Sequence, residues 1–275
     1  MSAASDFLAQ LESTYRNTEF DWESLLEANY IALLSGRNGL GIIDIGGHAG
    51  RHSLPIHQKL KPSHLLIFEP LPDQRRSLAT IFADHTNVTV YGLALGNRTG
   101  QSTFVVKKGA PEESGLRQRS FYNDGNSGDL EHIQVTIETL DNLKIPFAVD
   151  FIKIDTEGGE IDILKGAANL LRRDAPIISV EYGVGCYDAY GYEPETLFML
   201  ATEMSYSIFD LFGNRFVSID EWRSCVARFY WDYLMIPDRK IQSIADRINV
   251  IRTLDFGRFN RSVRKRWRGL GWWVS

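Results

Sequence analysis

Short apolar runs, separated by glycines and by segments of helical periodicity, dominate residues 37–240. Before them, apolar residues recur at helical spacing through 5–35 and predict an N-terminal helical segment, residues 1–36. Buried strands are predicted where mostly apolar runs end at turn residues: 42–45, 65–68, 88–91, 151–154 and 177–180. Because helical segments alternate with these strands, the sequence predicts an α/β domain over 37–240, with a mostly parallel sheet and helices on both of its faces.

Two later segments complete the predicted sheet. Residues 205–212 and 228–236 read as strands, and a helix is predicted near 218–226 between them. Together they bring the sheet to seven strands and close its edge.

An insertion between the third and fourth predicted strands, residues 97–147, has a different pattern. Polar and apolar residues alternate in 102–106 and in 133–138, and a polar loop, 107–130, lies between them. Loops of this length without regular structure often act as lids, although an ordinary surface loop is the alternative here. The side chains expected to contact an acceptor are Arg117, Arg119, Phe121, Tyr122 and Asn123.

Composition bears on location and partners. The chain has two cysteines, Cys186 and Cys225, and its first residues lack the basic and apolar regions of a signal peptide, so we expect a reduced, cytoplasmic protein. The net charge of −5 is uneven, because residues 251–275 carry seven Lys/Arg and one Asp. The remaining body is strongly acidic and should repel nucleic acid, so no nucleic-acid partner is predicted.

The C-terminal segment, residues 241–275, is predicted to be a basic amphipathic helical tail. On an α-helix its apolar side chains share one stripe and most of its cations share another face; the stripe is Phe256, Phe259, Val263, Trp267 and Leu270. Trp272 and Trp273 follow. The stripe either packs on the chain itself or on a second copy in a homodimer, or 256–273 makes peripheral contact with the inner face of a membrane.

A glycine-rich turn, Asp44-Ile45-Gly46-Gly47-His48-Ala49-Gly50, follows the first predicted strand. Its glycines let a ligand approach the backbone, and free N–H groups at the following helix form a polar cradle. Asp44 repels a pyrophosphate and attracts a cation, whereas Glu69 at the next strand end is placed to accept hydrogen bonds from a ribose diol. S-adenosylmethionine has an ammonium, a sulfonium and a ribose, and is therefore the predicted cofactor.

Several segments resemble the FkbM-type S-adenosylmethionine-dependent methyltransferases. Besides the glycine turn they are Phe68-Glu69-Pro70, Asn87-Val88, Ala94-Leu95-Gly96-Asn97, Thr139-Leu140-Asp141, the run Ile152-Lys153-Ile154-Asp155-Thr156-Glu157-Gly158-Gly159-Glu160, and Leu164-Lys165-Gly166-Ala167. The resemblance covers about residues 40–182 and is most specific at the run that ends in Glu160. His48 stands where the family usually has a small residue or Asn.

The resemblance implies a Rossmann-like class I methyltransferase fold with an antiparallel last strand, and O-methylation of hydroxyl groups, often on sugars or polyketides. The residues expected to bind the cofactor are Asp44, Gly46, Gly47, Gly50, Glu69, Pro70, Ala94, Leu95 and Asp155.

Acidic residues at strand ends are the candidates for chemistry, because an open parallel sheet binds its ligand beyond the carboxyl ends of its strands. Asp155, Glu157 and Glu181 are candidate bases for the acceptor hydroxyl, and His48 is a candidate donor in the pocket. Capping of the following helix is the alternative for Asp155, and Glu157 could instead complement the helix dipole. The motifs define no metal site, although the same carboxylates could hold a divalent cation.

The predicted function is O-methylation of a hydroxyl on a sugar, a glycan, or a glycosylated or polyketide intermediate. Four tyrosines that follow the fifth strand are candidates for stacking on a sugar face: Tyr182, Tyr187, Tyr190 and Tyr192. Two alternatives stay open, a non-catalytic nucleotide-binding or scaffold module of the same fold, and an NAD-dependent oxidoreductase. The second is disfavoured because the turn lacks the G-x-G-x-x-G spacing.

Overall fold

The structure, a computed structural model, describes residues 20–109, 114–117, 130–226 and 231–259, with the helical residues Asp6, Ala9 and Glu12. The described residues from 20 onward contain ten strands and nine α-helices. The strands are β1 (Gly41–Ile45), β2 (His64–Phe68), β3 (Val88–Tyr91), β4 (Ala94–Leu95), β5 (Gly100–Lys107), β6 (Leu130–Glu138), β7 (Phe151–Ile154), β8 (Ile177–Glu181), β9 (Tyr206–Phe209) and β10 (Asp232–Pro237). The helices are α1 (Trp22–Leu34), α2 (Ser53–Leu60), α3 (Pro72–Ile81), α4 (Glu160–Lys165), α5 (Ala168–Asp174), α6 (Thr196–Glu203), α7 (Ile219–Val226), α8 (Asp238–Ile241) and α9 (Ala245–Arg252). Short 3-10 turns cover Leu140–Asn142, Asp188–Tyr190, Gln242–Ile244 and Phe256–Phe259.

The central sheet has seven strands in the order β3-β2-β1-β7-β8-β10-β9. Every neighbouring pair is parallel except those of β10, which runs antiparallel to both β8 and β9. The central strands of this sheet, β1, β2, β7 and β8, are buried along nearly their whole length, which explains their continuous apolar runs. The predicted mostly parallel sheet with an antiparallel last strand is confirmed.

The insertion between β3 and β7 forms a second, smaller sheet in the order β4-β6-β5. β5 and β6 pair antiparallel from Gly100 opposite Ile137 to Lys107 opposite Leu130. The predicted alternation is therefore a hairpin with one buried face, which packs its own cluster of Leu71, Ala94, Phe104, Val135 and Ile137. Of the long polar loop at its tip the structure describes 107–109, 114–117 and 130, so Arg119, Phe121, Tyr122 and Asn123 lie outside the described residues.

Two predicted helices are interrupted. The helix expected over 5–35 does not run through residues 20 and 21, because Asp21 caps α1 by accepting a hydrogen bond from Ser24 N (3.0 Å). The helical segment predicted between the strands at 151–154 and 177–180 is divided into α4 and α5 at Gly166, where a Cβ would lie 2.0 Å from the carbonyl oxygen of Gly96.

The start of the C-terminal tail packs on the body of the protein. Phe256–Phe259 is a 3-10 turn rather than the expected α-helix. Phe259 is 3% exposed and lies 6.3 Å from the ring of Phe20, while Phe256 contacts Phe212 at 5.0 Å. The rest of the predicted stripe, 260–273, lies outside the described residues. Within the described part of the chain, no helix is both long and apolar enough to span a membrane.

Candidate active site

A cavity of about 250 Å³ opens beyond the carboxyl ends of β1, β2, β7 and β8. This is the edge of the sheet where a parallel α/β fold binds its ligands. Of the predicted site residues, the following line it: Gly46, Gly47, His48, Glu69, Pro70, Ala94, Leu95, Asp155, Glu157 and Glu181. Asp44 and Gly50 do not line it.

The glycine turn lies in close contact with the ends of β2 and β7, the two strands that neighbour β1. Gly46 has φ +82°, and a Cβ there would lie 1.8 Å from the carbonyl oxygen of Asp155. A Cβ on Gly47 would lie 2.2 Å from Ile67 Cγ2. Both glycine N–H groups donate to the carbonyl oxygen of Phe68, at 3.0 and 3.1 Å. Glycine is therefore required at both positions for the chain to form this wall of the cavity.

Glu69 joins the turn to the end of β2. Its Oε2 accepts a hydrogen bond from His48 N and its Oε1 accepts one from Leu71 N, both at 2.8 Å. The residue is 4% exposed, and burial raises its pKa to about 7, although the two N–H groups act in the opposite direction. Each oxygen keeps acceptor capacity for a ligand hydroxyl.

Asp44 lies behind the cavity wall. Ser53 Oγ donates a hydrogen bond to it, and Lys153 Nζ lies 3.8 Å from its Oδ1. Burial raises the pKa of Asp44, while Lys153 and Ser53 favour the carboxylate. In this structure Asp44 anchors the start of α2 and a buried lysine. Its predicted direct contact with a cofactor stays a prediction.

Acidic side chains form a row across three neighbouring strands. The registers of β7 with β8 and of β8 with β10 bring Asp155, Glu181 and Asp232 side by side. Lys153 Nζ lies 2.9 Å from Asp155 Oδ2. Burial is the largest single effect at Asp155 and favours the neutral acid, but Lys153, Glu181 and His52 together lower the pKa to about 2.

The other two acids of the row are shifted in the opposite direction. Burial, followed by the charges of Asp155 and Asp232, raises the pKa of Glu181 well above its usual range. Burial and the charge of Asp155 raise the pKa of Asp232 to about 7.

Glu157 faces the cavity from a strained backbone position. It has φ +63°, and His48 across the cavity has φ +44°, conformations that residues other than glycine rarely adopt. Cys186 Sγ donates to Glu157 Oε2 at 3.5 Å. One ligand atom from each of Glu157, Glu181 and Cys186 lies within 4.8 Å of the others, as in clusters that bind metals, and the divalent cation stays a prediction.

Glu160 shapes the loop that carries Glu157. Its Oε1 accepts hydrogen bonds from Thr156 N (3.0 Å), Thr156 Oγ1 (2.9 Å) and Gly158 N (3.0 Å). These contacts hold the turn between β7 and α4 in place beneath the cavity.

Of the four tyrosines, Tyr190 alone lines the cavity. Tyr182 and Tyr187 stack on each other in the core at 4.8 Å, and Tyr192 Oη donates to Asp162. The Arg117 guanidinium lies 5.3 Å from the Tyr190 ring centroid, so Arg117 of the insertion contacts Tyr190, whereas the lid itself stays a prediction.

Several further residues line the cavity that were not among the predicted site residues: Arg51, His52, Leu71, Leu93, Phe104, Ser114, Leu116 and Thr156. Most are apolar or small and have the pattern of ordinary core or loop positions, so no motif identified them. His52 differs from these residues because its side chain is titratable. Burial, with the nearby charge of Lys153, lowers its pKa to about 3 and keeps the imidazole neutral.

The sheet order, the reversed β10 and the position of the cavity define a Rossmann-like class I methyltransferase fold. The family model of the methyltransferase FkbM domain matches residues 44–223. Because this match covers well over half of the chain, the protein belongs to that family, and the resemblance in its motifs is confirmed.

Individual relatives have low sequence identity to this chain. "Methyltransferase 1" of Beauveria bassiana (strain ARSEF 2860) is 26% identical over 142 residues, which cover 46% of this chain and 57% of that protein. A crystal structure of methyltransferase FkbM from Methylobacillus flagellatus KT is 19% identical with a TM-score of 0.45, covering 74% of this chain and 47% of that one. The plantazolicin methyltransferase BpumL, solved with SAH, is 12% identical with a TM-score of 0.43, covering 84% and 90%. The chain thus spans about half the length of the first two.

Proposed function

We propose that the protein is an S-adenosylmethionine-dependent methyltransferase that methylates a hydroxyl group of a sugar, a glycan, or a glycosylated or polyketide intermediate. The observation that supports this most is one cavity with a glycine turn and a buried Glu69 at one end and a row of carboxyl groups at the other. Family membership supports the reaction class.

The residues of the cavity fit the cofactor. Gly46 and Gly47 line the cavity with backbone, in positions where a Cβ would clash with Asp155 and Ile67, and Glu69 offers two acceptor oxygens for a ribose diol. Leu93, Ala94 and Leu95 supply an apolar wall for a flat base. Bound there, S-adenosylmethionine supplies a methyl group on a sulfonium, which an aligned oxygen nucleophile can accept.

The acidic side of the cavity would bind and activate the acceptor. A hydroxyl is a weak nucleophile until it loses its proton, and a positioned base contributes about 10²–10⁴-fold. Asp155, Glu157 and Glu181 all face the cavity and are the groups that can orient the hydroxyl and receive that proton. Leu71, Phe104 and Leu116 face the same space and exclude water from part of it.

Calorimetry and a transfer assay test this function. We expect S-adenosylmethionine and S-adenosylhomocysteine to bind and NAD not to bind. Label from methyl-tritiated S-adenosylmethionine should then appear on members of a panel of monosaccharides, glycosides and polyketide alcohols. Absence of binding by both adenosyl ligands would overturn the proposal, and tight binding with transfer only to amines or thiols would overturn the hydroxyl acceptor.

Location and partners are proposals of the same kind. We propose a cytoplasmic protein with a small-molecule or glycan acceptor and no nucleic-acid partner, on the support of its cysteine content and acidic body. For the tail, packing of Phe256 and Phe259 favours contact with the chain itself at its start. Co-sedimentation of the full chain and a 1–259 truncation with anionic vesicles tests membrane contact by 260–273, and light scattering tests the homodimer.

A further inference from the structure

The buried ammonium group of Lys153 lies beside a row of carboxyl groups at the carboxyl edge of the sheet. Lys153 is 3% exposed, 2.9 Å from Asp155 and 3.8 Å from Asp44. Glu181 and Asp232 continue the same row on β8 and β10. A buried cluster with more carboxyl groups than cations keeps some of them protonated, because adjacent carboxylates repel each other in a low dielectric.

Geometry distinguishes the members of this cluster. Oδ2 of Asp155 is in contact with Lys153, whereas Oε2 of Glu181 is buried and has no hydrogen-bond partner among the described residues. Glu181 lines the cavity and Asp232 does not. Glu181 is therefore the member that combines a buried oxygen without a hydrogen-bond partner, acidic neighbours and a place in the cavity lining.

We propose that Lys153 is a positioning residue that holds Asp155 as a carboxylate, so that Glu181 carries a proton in the free protein, releases it when the cationic cofactor binds, and then accepts the proton of the acceptor hydroxyl. This inference rests on the proposed function. It assigns the role of base to Glu181, whereas the cavity lining alone leaves Asp155, Glu157 and Glu181 as candidates.

The electrostatic surroundings agree with this assignment. The other titratable groups that act on the Asp155–Glu181 pair are Lys153 on β7, Asp232 on β10, Glu160 on α4 and His52 just before α2. The interaction between the two side chains favours the carboxylate of Asp155 and the neutral acid of Glu181. Burial raises the pKa of Glu181, whereas Lys153 lowers that of Asp155. A positive charge placed in the cavity reverses part of this effect at Glu181.

In the methyl-transfer step, Glu181 accepts the proton of the acceptor hydroxyl. The O–H bond of the hydroxyl breaks, its proton goes to the carboxylate of Glu181, and the electron pair stays on oxygen. That oxygen forms the new bond to the methyl carbon, and the carbon–sulfur bond breaks with its pair left on sulfur. The proton on Glu181 then returns to solvent when the products leave.

Counting protons in calorimetry tests the inference without an acceptor. S-adenosylmethionine and S-adenosylhomocysteine differ only in the methyl group and charge at sulfur. Titrations with each ligand in phosphate, Hepes and Tris at pH 7.5 give the protons released, because these buffers differ in ionisation enthalpy. We expect more protons to be released with S-adenosylmethionine, and we expect that excess to be lost in Glu181→Gln while both ligands still bind.

Two matched variants locate the proton. Glu157→Gln removes another carboxylate that faces the cavity, and the excess should persist in it. If the excess is lost in Asp232→Asn but kept in Glu181→Gln, the proton sits on Asp232 and the inference is wrong. Equal proton release for the two ligands in the wild type would also overturn it. Failure of both ligands to bind would refute the proposed function instead.

Discussion

The pH dependence of S-adenosylhomocysteine binding tests the role of Glu69. Its carboxyl is buried, and burial raises its pKa to about 7. A ribose diol donates two hydrogen bonds, so the ionised carboxylate is the form that accepts both. Below pH 7 the free protein must lose the proton of Glu69 before the ribose can bind in this way. Affinity is therefore expected to fall as the pH falls.

The size of this effect follows from linkage. Each pH unit below the pKa of free Glu69 costs about 1.4 kcal/mol, a tenfold loss of affinity, as long as the bound carboxylate stays ionised. Between pH 8 and pH 5.5 the expected loss is about 2 kcal/mol, or roughly thirtyfold. Calorimetry at half-unit steps measures it, and S-adenosylhomocysteine is the suitable ligand because it lacks the sulfonium charge that acts on Glu181.

Glu69→Gln is the matched control, because its amide does not titrate in this range. The variant loses one acceptor for the backbone N–H groups of His48 and Leu71, so it should bind more weakly at pH 8 by about 1–3 kcal/mol. Its remaining pH dependence reports the other carboxyl groups of the cavity. A wild-type affinity that is constant from pH 5.5 to 8, or an equal slope in Glu69→Gln, would refute the reasoning.

Three other predictions concern the backbone and the tail. Glycine in place of His48 or Glu157 should relieve positive-φ strain and stabilise the fold by about 1 kcal/mol, as measured by thermal unfolding. Lys61 also has a positive φ, +47°, but lies outside the cavity, so Lys61→Gly is the control. It should stabilise the fold in the same way without changing S-adenosylhomocysteine binding. Gly46→Ala should abolish that binding in calorimetry, because its Cβ would lie 1.8 Å from a backbone carbonyl oxygen. Phe259→Ala should lower the free energy of urea unfolding by about 3–5 kcal/mol, because its ring is 3% exposed.

The sheet and the cofactor end of the cavity were predictable because their determinants are local in sequence. Apolar runs such as 42–45 and 65–68 identify strands that are buried on both faces. Gly46, Gly47 and Glu69 follow directly at the ends of those strands. Once the strands are parallel and adjacent, their carboxyl ends share one edge, and the residues there meet without further information.

Features set by distant contacts were not predictable in the same way. The break between α4 and α5 depends on the approach of Gly96 to Gly166 and on Asp141, whose carboxylate accepts hydrogen bonds from Asn169 N and Leu170 N at 2.9 and 2.8 Å. The alternation of polar and apolar residues in the insertion did not show that its two segments pair as a hairpin, nor that Phe104 would face the cavity. Such residues have the apolar character of any core position, and their role depends on which surface the second sheet covers.

The charged cluster lies between these two cases. Lys153 stands inside a strand that is buried on both faces, and a buried ammonium requires carboxylate partners because its desolvation is otherwise too costly. Those partners are separated by up to about 190 residues, from Asp44 to Asp232, yet parallel pairing and the reversed β10 bring them to one edge. A lysine among the apolar residues of a buried strand therefore indicates, from sequence alone, that carboxylates must lie nearby. Only the strand register shows that these acids outnumber the cation. That imbalance is what makes Glu181 responsive to the charge of a ligand, and it links the stability of the central sheet to the chemistry proposed at its edge.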